Sequence, residues 1–248
     1  MDRLNVVVYV SDALRVDHLG CYGAKFVNTH TIDRFADTAL RFDQAITAAA
    51  WTAPAMTSIA TGLYPQRHGV FDWANPLDPS IETVFESFAR AGHAVGSFVF
   101  DDQYLFCGVP SAAVQGRSED FDSVLRWLDT HAQAPFMLFV HSWATHMPYN
   151  VSHRQRQTWQ SAKAEFIGRL RSNTADGIEE CREAYRRSVE YQSETLFASL
   201  LERLDQLGVA DSTTVVFAAD HGESWGERFA DKSQITGMYH LHGAALYD

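Results

Sequence analysis

The chain has 248 residues, 46% hydrophobic and 12% aromatic, with a formal net charge of -11. Length and composition predict a single globular domain over 1–248 with a sizeable core, and they exclude disordered and collagen-like classes. The acidic balance excludes a broad nucleic-acid or anionic-membrane surface, because both need a basic field.

The first element is Asn5 to Ser11, NVVVYVS, a β-branched run that reads as a buried strand and ends at Asp12. This N-terminal apolar run is too short for a signal-peptide core, and no later segment approaches a membrane span, so a cytoplasmic location is expected. An aspartate after a strand commonly caps a helix or closes a turn; it is also a carboxylate at the strand end where open α/β sheets hold ligands.

Thr31 to Ala39 reads as a short amphipathic helix with Ile32, Phe35 and Ala36 on one face. A second helix follows in WTAPAMTSIATG, with Pro54 suited to its first turn, Gly62 at its end and Thr52 at its N-cap. An anion beside Thr52 would meet the positive end of that helix, although most N-cap threonines do no more than satisfy backbone N–H groups.

Ser80 to Ala91 is a further helix closed by Gly92, and it leads into the strand AVGSFVF and the acids Asp101 and Asp102. A solvated turn is the ordinary role of such a pair. Ser118 to Ala132 carries Phe121, Val124, Leu125 and Leu128 at helical spacing. The next strand, FMLFVH from Phe136 to His141, runs into SWATHMPY and puts His146 just past its end; His141 reads as packed or hydrogen-bonded near the sheet. Residues 153–173 are polar and helical in composition.

From Ile178 to Leu207 the apolar positions mark a long amphipathic helix that breaks near Gln192 and ends at Gly208. The strand VVFAA follows and ends in Asp220, His221 and Gly222, and the chain closes with MYHLHGAALYD, which holds His240 and His242. Strands alternating with helices predict an α/β fold of three layers, a mostly parallel sheet flanked by helices on both faces. Three scattered cysteines, Cys21, Cys107 and Cys181, lack C-x-x-C spacing, so neither a disulfide framework nor a thiolate zinc site is expected.

Asp12, Thr52, Asp220 and His221 come from separate stretches, yet each stands at a strand end or helix start on one side of the expected sheet. Two carboxylates, an imidazole and a hydroxyl suit one divalent cation, zinc, manganese or calcium, with open positions. Such a cation makes the Thr52 hydroxyl a usable nucleophile near neutral pH, and His146 and His242 are placed to bind ester oxygens or protonate a leaving group.

NVVVYVSDALRVDHLGCYG, TIDRFADTALRFDQA, WTAPAMTSIATGLYPQRHGV, HSWATHMPY, TTVVFAADHGESWGE and HGAALYD resemble, in order, the sulfatase-like branch of the alkaline phosphatase superfamily. The resemblance implies an alkaline phosphatase-like fold and a metal-dependent hydrolase or transferase of phosphate, phosphonate or sulfate esters. A covalent intermediate is then implied at Thr52, with Asp12, Asp220 and His221 as metal ligands and His146 and His242 as active-site histidines.

The departures from the family pattern narrow this. Formylglycine-dependent sulfatases have Cys or Ser at the position of Thr52 and Arg at that of Met56, which favours phosphoric or phosphonic esters here, with a sulfuric ester as the alternative. Two-metal relatives have Asp at the position of Ser142 and many have an acid near Ala144. One metal is therefore expected, and a degenerate member that binds an anion without catalysis is the further alternative. The family also continues past the LYD motif, so the chain is expected to lack its C-terminal part. The expected partner is a small anionic ester, with no nucleic acid and no membrane.

Overall fold

A computed structural model describes residues 4–73, 75–100, 114–149, 168 and 175–224. The chain divides into two compact units, one of Met1–Ser11, Trp51–Trp143 and Ser199–Asp220, the other of Asp12–Ala50, Ala144–Ala198 and His221–Asp248. The divisions after Ser11, Trp143 and Asp220 fall at or just past the C-terminal ends of three strands.

The first unit holds the sheet. Its strands are β1 (Asn5–Ser11), β2 (Ala94–Val99), β3 (Val114–Arg117), β4 (Phe136–Ser142) and β5 (Thr213–Ala219), in the order β3-β2-β4-β1-β5. All four pairings are parallel. At the N-terminal edge the buried Asn5 ties three strands together: its side-chain amide donates to Ser212 and Thr213, and its carbonyl oxygen accepts from the Phe136 N–H.

Side chains alternate across the sheet, so even-numbered β1 residues share a face. Val6, Val8 and Val10 join Met137 and Phe139 in a cluster with Ala53, Met56 and Ala60 of α2 (Thr52–Thr61) and Val84, Phe85 and Phe88 of α4 (Val84–Arg90). Tyr9 lies on the opposite face, where its ring meets Phe121 of α5 (Phe121–His131) edge-on at 6.4 Å. On this face Trp127 packs edge-on against Phe136 at 6.0 Å and closes over Gly96, where a Cβ would come within 2.4 Å of the indole. Helices on both faces give the three layers expected of this sequence.

Two boundaries differ from expectation. Helix α4 starts at Val84, because Thr83 and Glu86 form a reciprocal capping box that defines the first turn. Strand β3 had no predicted counterpart; its sequence, VQGR, is short and has no apolar run.

Helix α6 (Ala175–Tyr191) of the second unit passes through the expected break at Gln192, a π-helical segment Gln192–Phe197, into α7 (Ala198–Gln206), whose residues from Ser199 belong to the first unit; in the second unit α1 (His30–Thr38) packs against the π-helical segment. The wider turn carries Glu194 to the start of α1, where it accepts from the Thr31 N–H at 2.9 Å and the Thr31 hydroxyl at 3.2 Å. An anion at a helix N-terminus is favourable, and Phe35 packs edge-on against Phe197 at 5.3 Å beside it.

Candidate metal and ester site

The register explains why acids gather at one edge. Val10 pairs with His141 on β4 and with Ala218 on β5, so residues two further on, Asp12 and Asp220, continue the same rows on the face covered by α2. One ligand atom from each of Asp12, Asp220 and His221 lies within 4.8 Å of the others. Asp12 and Asp220 are completely buried and His221 is 1% exposed.

Two buried carboxylates at this separation repel by about 3 kcal/mol at an effective dielectric near 20, so a cation among them is stabilising. The chemistry of the imidazole fits the same role. His221 Nδ1 lies 2.7 Å from the Gly222 carbonyl oxygen, which can only accept, so the proton sits on Nδ1. The lone pair is then on Nε2, which faces Asp12 Oδ1 at 3.5 Å, as a metal-binding histidine requires. Three of the four expected ligands are thus brought together.

Thr52 is buried, 5% exposed, and opens α2, which packs on the Val10 face of the sheet. It occupies the first helical position; the N-cap is Trp51, whose extended backbone (φ -163, ψ 163) starts the turn, with Ala55 N–H bonded to its carbonyl. Met56, one turn on, is 1% exposed in the apolar cluster between α2 and the sheet, a packing position for a thioether.

His146 is buried and its Nδ1 lies 2.6 Å from the Met147 carbonyl oxygen, which also directs its lone pair to Nε2. The residue before it, Thr145, donates its hydroxyl to the Asp12 carbonyl oxygen at 2.6 Å. Ser142 and Ala144 are buried beside it. His240, His242, Asp101, Asp102 and 153–173 lie outside the described residues.

Two features of the site were not expected. His141, read as packed or hydrogen-bonded near the sheet, is completely buried as expected, but its Nε2 lies 3.5 Å from Asp220 Oδ2, a place beside a candidate ligand that was not read for it; the signal was its pairing with Val10. The second is a network behind the ligands. Arg15 donates from its guanidinium to the Glu223 carbonyl oxygen at 2.8 Å and to both Asp17 oxygens, while Tyr149 donates to Glu223 Oε2 at 2.7 Å. Burial alone would raise the Asp17 carboxyl, but hydrogen bonds from Arg15 and His18 hold it well below the usual carboxylate range. These partners lie up to 208 positions apart in sequence, beyond any local pattern.

The family model for Sulfatase matches residues 4–108 and 117–246. The chain belongs to this family. Among curated members, an ulvan-active sulfatase of Formosa agariphila is 26% identical over 234 residues, covering 90% of this chain and 45% of that protein. The low-salt glycan biosynthesis sulfotransferase Agl7 of Haloferax volcanii is 25% identical, covering 90% and 47%. The chain thus spans about half the length of these curated relatives. Its fold is similar to that of a phosphonate monoester hydrolase of Agrobacterium radiobacter, with a TM-score of 0.72 at 15% identity over 97% of this chain and 67% of that one. It is also similar to the C-terminal periplasmic domain of phosphoethanolamine transferase EptC from Campylobacter jejuni, with a TM-score of 0.67 at 17% identity over 99% and 74%.

Proposed function

We propose that this Sulfatase-family chain cleaves phosphoric or phosphonic esters through a covalent intermediate on Thr52, using one divalent cation held by Asp12, Asp220 and His221. The observation that carries the reading is the buried cluster of two carboxylates and one imidazole within 4.8 Å. When bound, the cation supplies positive charge that favours the ionised hydroxyl and offsets the charge of the ester oxygens.

The chain's own residues perform the rest. The first-turn N–H groups of α2 and its positive end hold the non-bridging oxygens beside Thr52. Thr52 Oγ attacks phosphorus, the bond to the leaving oxygen breaks, and the hydroxyl proton is lost to the medium. His146, carrying a proton on Nε2 as well as Nδ1, gives that Nε2 proton to the leaving alkoxide. Water then attacks phosphorus, the bond to Thr52 Oγ breaks and that oxygen regains a proton from the medium, and His146 takes a proton from the water. The substrate is a small anionic ester, drawn by local rather than overall charge, since the chain is acidic.

Threonine at position 52 and apolar packing at Met56 support phosphorus over sulfur. A sulfuric ester is the second reading, favoured by the names of the curated relatives. Nitrophenyl phosphate, bis-nitrophenyl phosphate and nitrophenyl sulfate, each with wild type and Thr52→Ala, separate the two. Higher kcat/KM on a phosphorus ester, reduced about 10³-fold or more in Thr52→Ala, is expected. Preference for the sulfate overturns the substrate assignment, and an undiminished Thr52→Ala rate overturns the nucleophile.

A further inference from the structure

Asp12 leaves β1 through an unusual turn. The next residue, Ala13, is completely buried and has φ of +58, a left-handed conformation that crowds the Cβ of any residue bearing a side chain. Such a turn persists only where its surroundings hold it. Here two hydroxyls do so: Tyr185 of α6 donates to the Ala13 carbonyl oxygen at 2.7 Å and accepts from the Arg15 N–H at 2.8 Å, and Thr145 donates to the Asp12 carbonyl oxygen at 2.6 Å.

Tyr185 is itself held firmly. It is completely buried, with ring edges of His18 at 4.9 Å and Tyr149 at 5.0 Å. Burial pushes its phenol well above the ordinary range, so it remains a proton donor throughout the working range of pH. Its hydroxyl bridges two backbone groups that flank Leu14, two residues beyond Asp12.

We propose that the Tyr185 and Thr145 hydroxyls are positioning groups that fix the Asp12 turn and thereby aim its carboxylate toward His221 Nε2 and the cation. This inference rests on the metal site proposed above. Neither hydroxyl is a ligand; each acts on the backbone that carries one. Loosening that backbone lets the left-handed turn relax and Asp12 swing out of the ligand cluster, a change felt in metal affinity more than in folding.

Manganese titration of the full chain, followed by electron paramagnetic resonance of free Mn²⁺, tests this on wild type, Tyr185→Phe, Thr145→Val and Asp12→Asn. Phe197→Leu, a core change at the α1 contact away from the turn, serves as the stability control. The expectation is a Kd raised about 10-fold in Tyr185→Phe and in Thr145→Val, as for other groups that orient a metal ligand. Phe197→Leu should lower Tm while leaving the Kd within about twofold of wild type. An unchanged Kd in folded Tyr185→Phe and Thr145→Val, with Asp12→Asn weakened, overturns the positioning role and leaves the metal site intact. Equal weakening in Phe197→Leu also overturns it, because the effect is then one of general stability. Wild type binding no more tightly than Asp12→Asn overturns both the role and the site.

Discussion

Replacing Asp220 by Asn separates the cost of the acid pair from its use. In metal-free protein the two buried carboxylates, with oxygens no more than 4.8 Å apart, repel by about 3 kcal/mol at an effective dielectric near 20. The amide keeps the size of the carboxylate but gives up part of its polar contacts, which offsets part of this relief. The net relief in Asp220→Asn is then about 1–2 kcal/mol, worth a few degrees of Tm in a chain of this size. Manganese reverses the order. At about 100 times its Kd the ion stabilises wild type by roughly 2.7 kcal/mol, a gain the variant largely forgoes. Thermal unfolding in EDTA and in manganese should therefore show the variant more stable in the first and wild type more stable in the second. A variant less stable than wild type in EDTA, or one that gains as much from manganese, would refute the reasoning.

Other changes test the frame around the site. Met56→Arg places a guanidinium in the apolar cluster between α2 and the sheet and should cost several kcal/mol, seen as loss of soluble folded protein rather than as new sulfatase activity. Gly96→Ala forces Trp127 aside and should lower stability by about 1–3 kcal/mol in urea unfolding. Burial tends to raise the Glu194 carboxyl, but the N–H of Thr31 and the hydroxyls of Ser193 and Thr31 hold it below its ordinary value. A depressed folded-state pKa adds stability above the unfolded value, near 4.3, and that stability is lost as pH falls through the folded value. Glu194→Gln should accordingly flatten the acid limb of a Tm-against-pH curve while changing little at its top; an unchanged acid limb contradicts the assignment.

The parts of the fold visible in the sequence are those with strong local patterns. The apolar runs of β1, β4 and β5, the glycines that close helices, and the interruption at Gln192 all correspond to observed elements. Asp12, Asp220 and His221 stood out because each follows an apolar run read as a buried strand; β1 is largely buried, whereas β5 is a half-exposed edge strand, and their parallel pairing brings the three together. What was missed depends on geometry that local sequence does not carry. The edge strand β3 is held by pairing with β2 rather than by its own composition. His141 looked like packing until its register with Val10 was known, and Tyr185 meets Ala13 across 172 positions. Thr52 was expected one position earlier in its helix, since Trp51, a residue with no capping side chain, takes the N-cap through backbone geometry alone.

The central claim is that Asp12, Asp220 and His221 hold one divalent cation. Crystals of the chain grown with zinc and measured on either side of its absorption edge test it directly. The account predicts one anomalous peak at about 2.0–2.2 Å from a carboxylate oxygen of each aspartate and from His221 Nε2. Fully occupied zinc elsewhere in the molecule, with these three side chains bearing none, would contradict it.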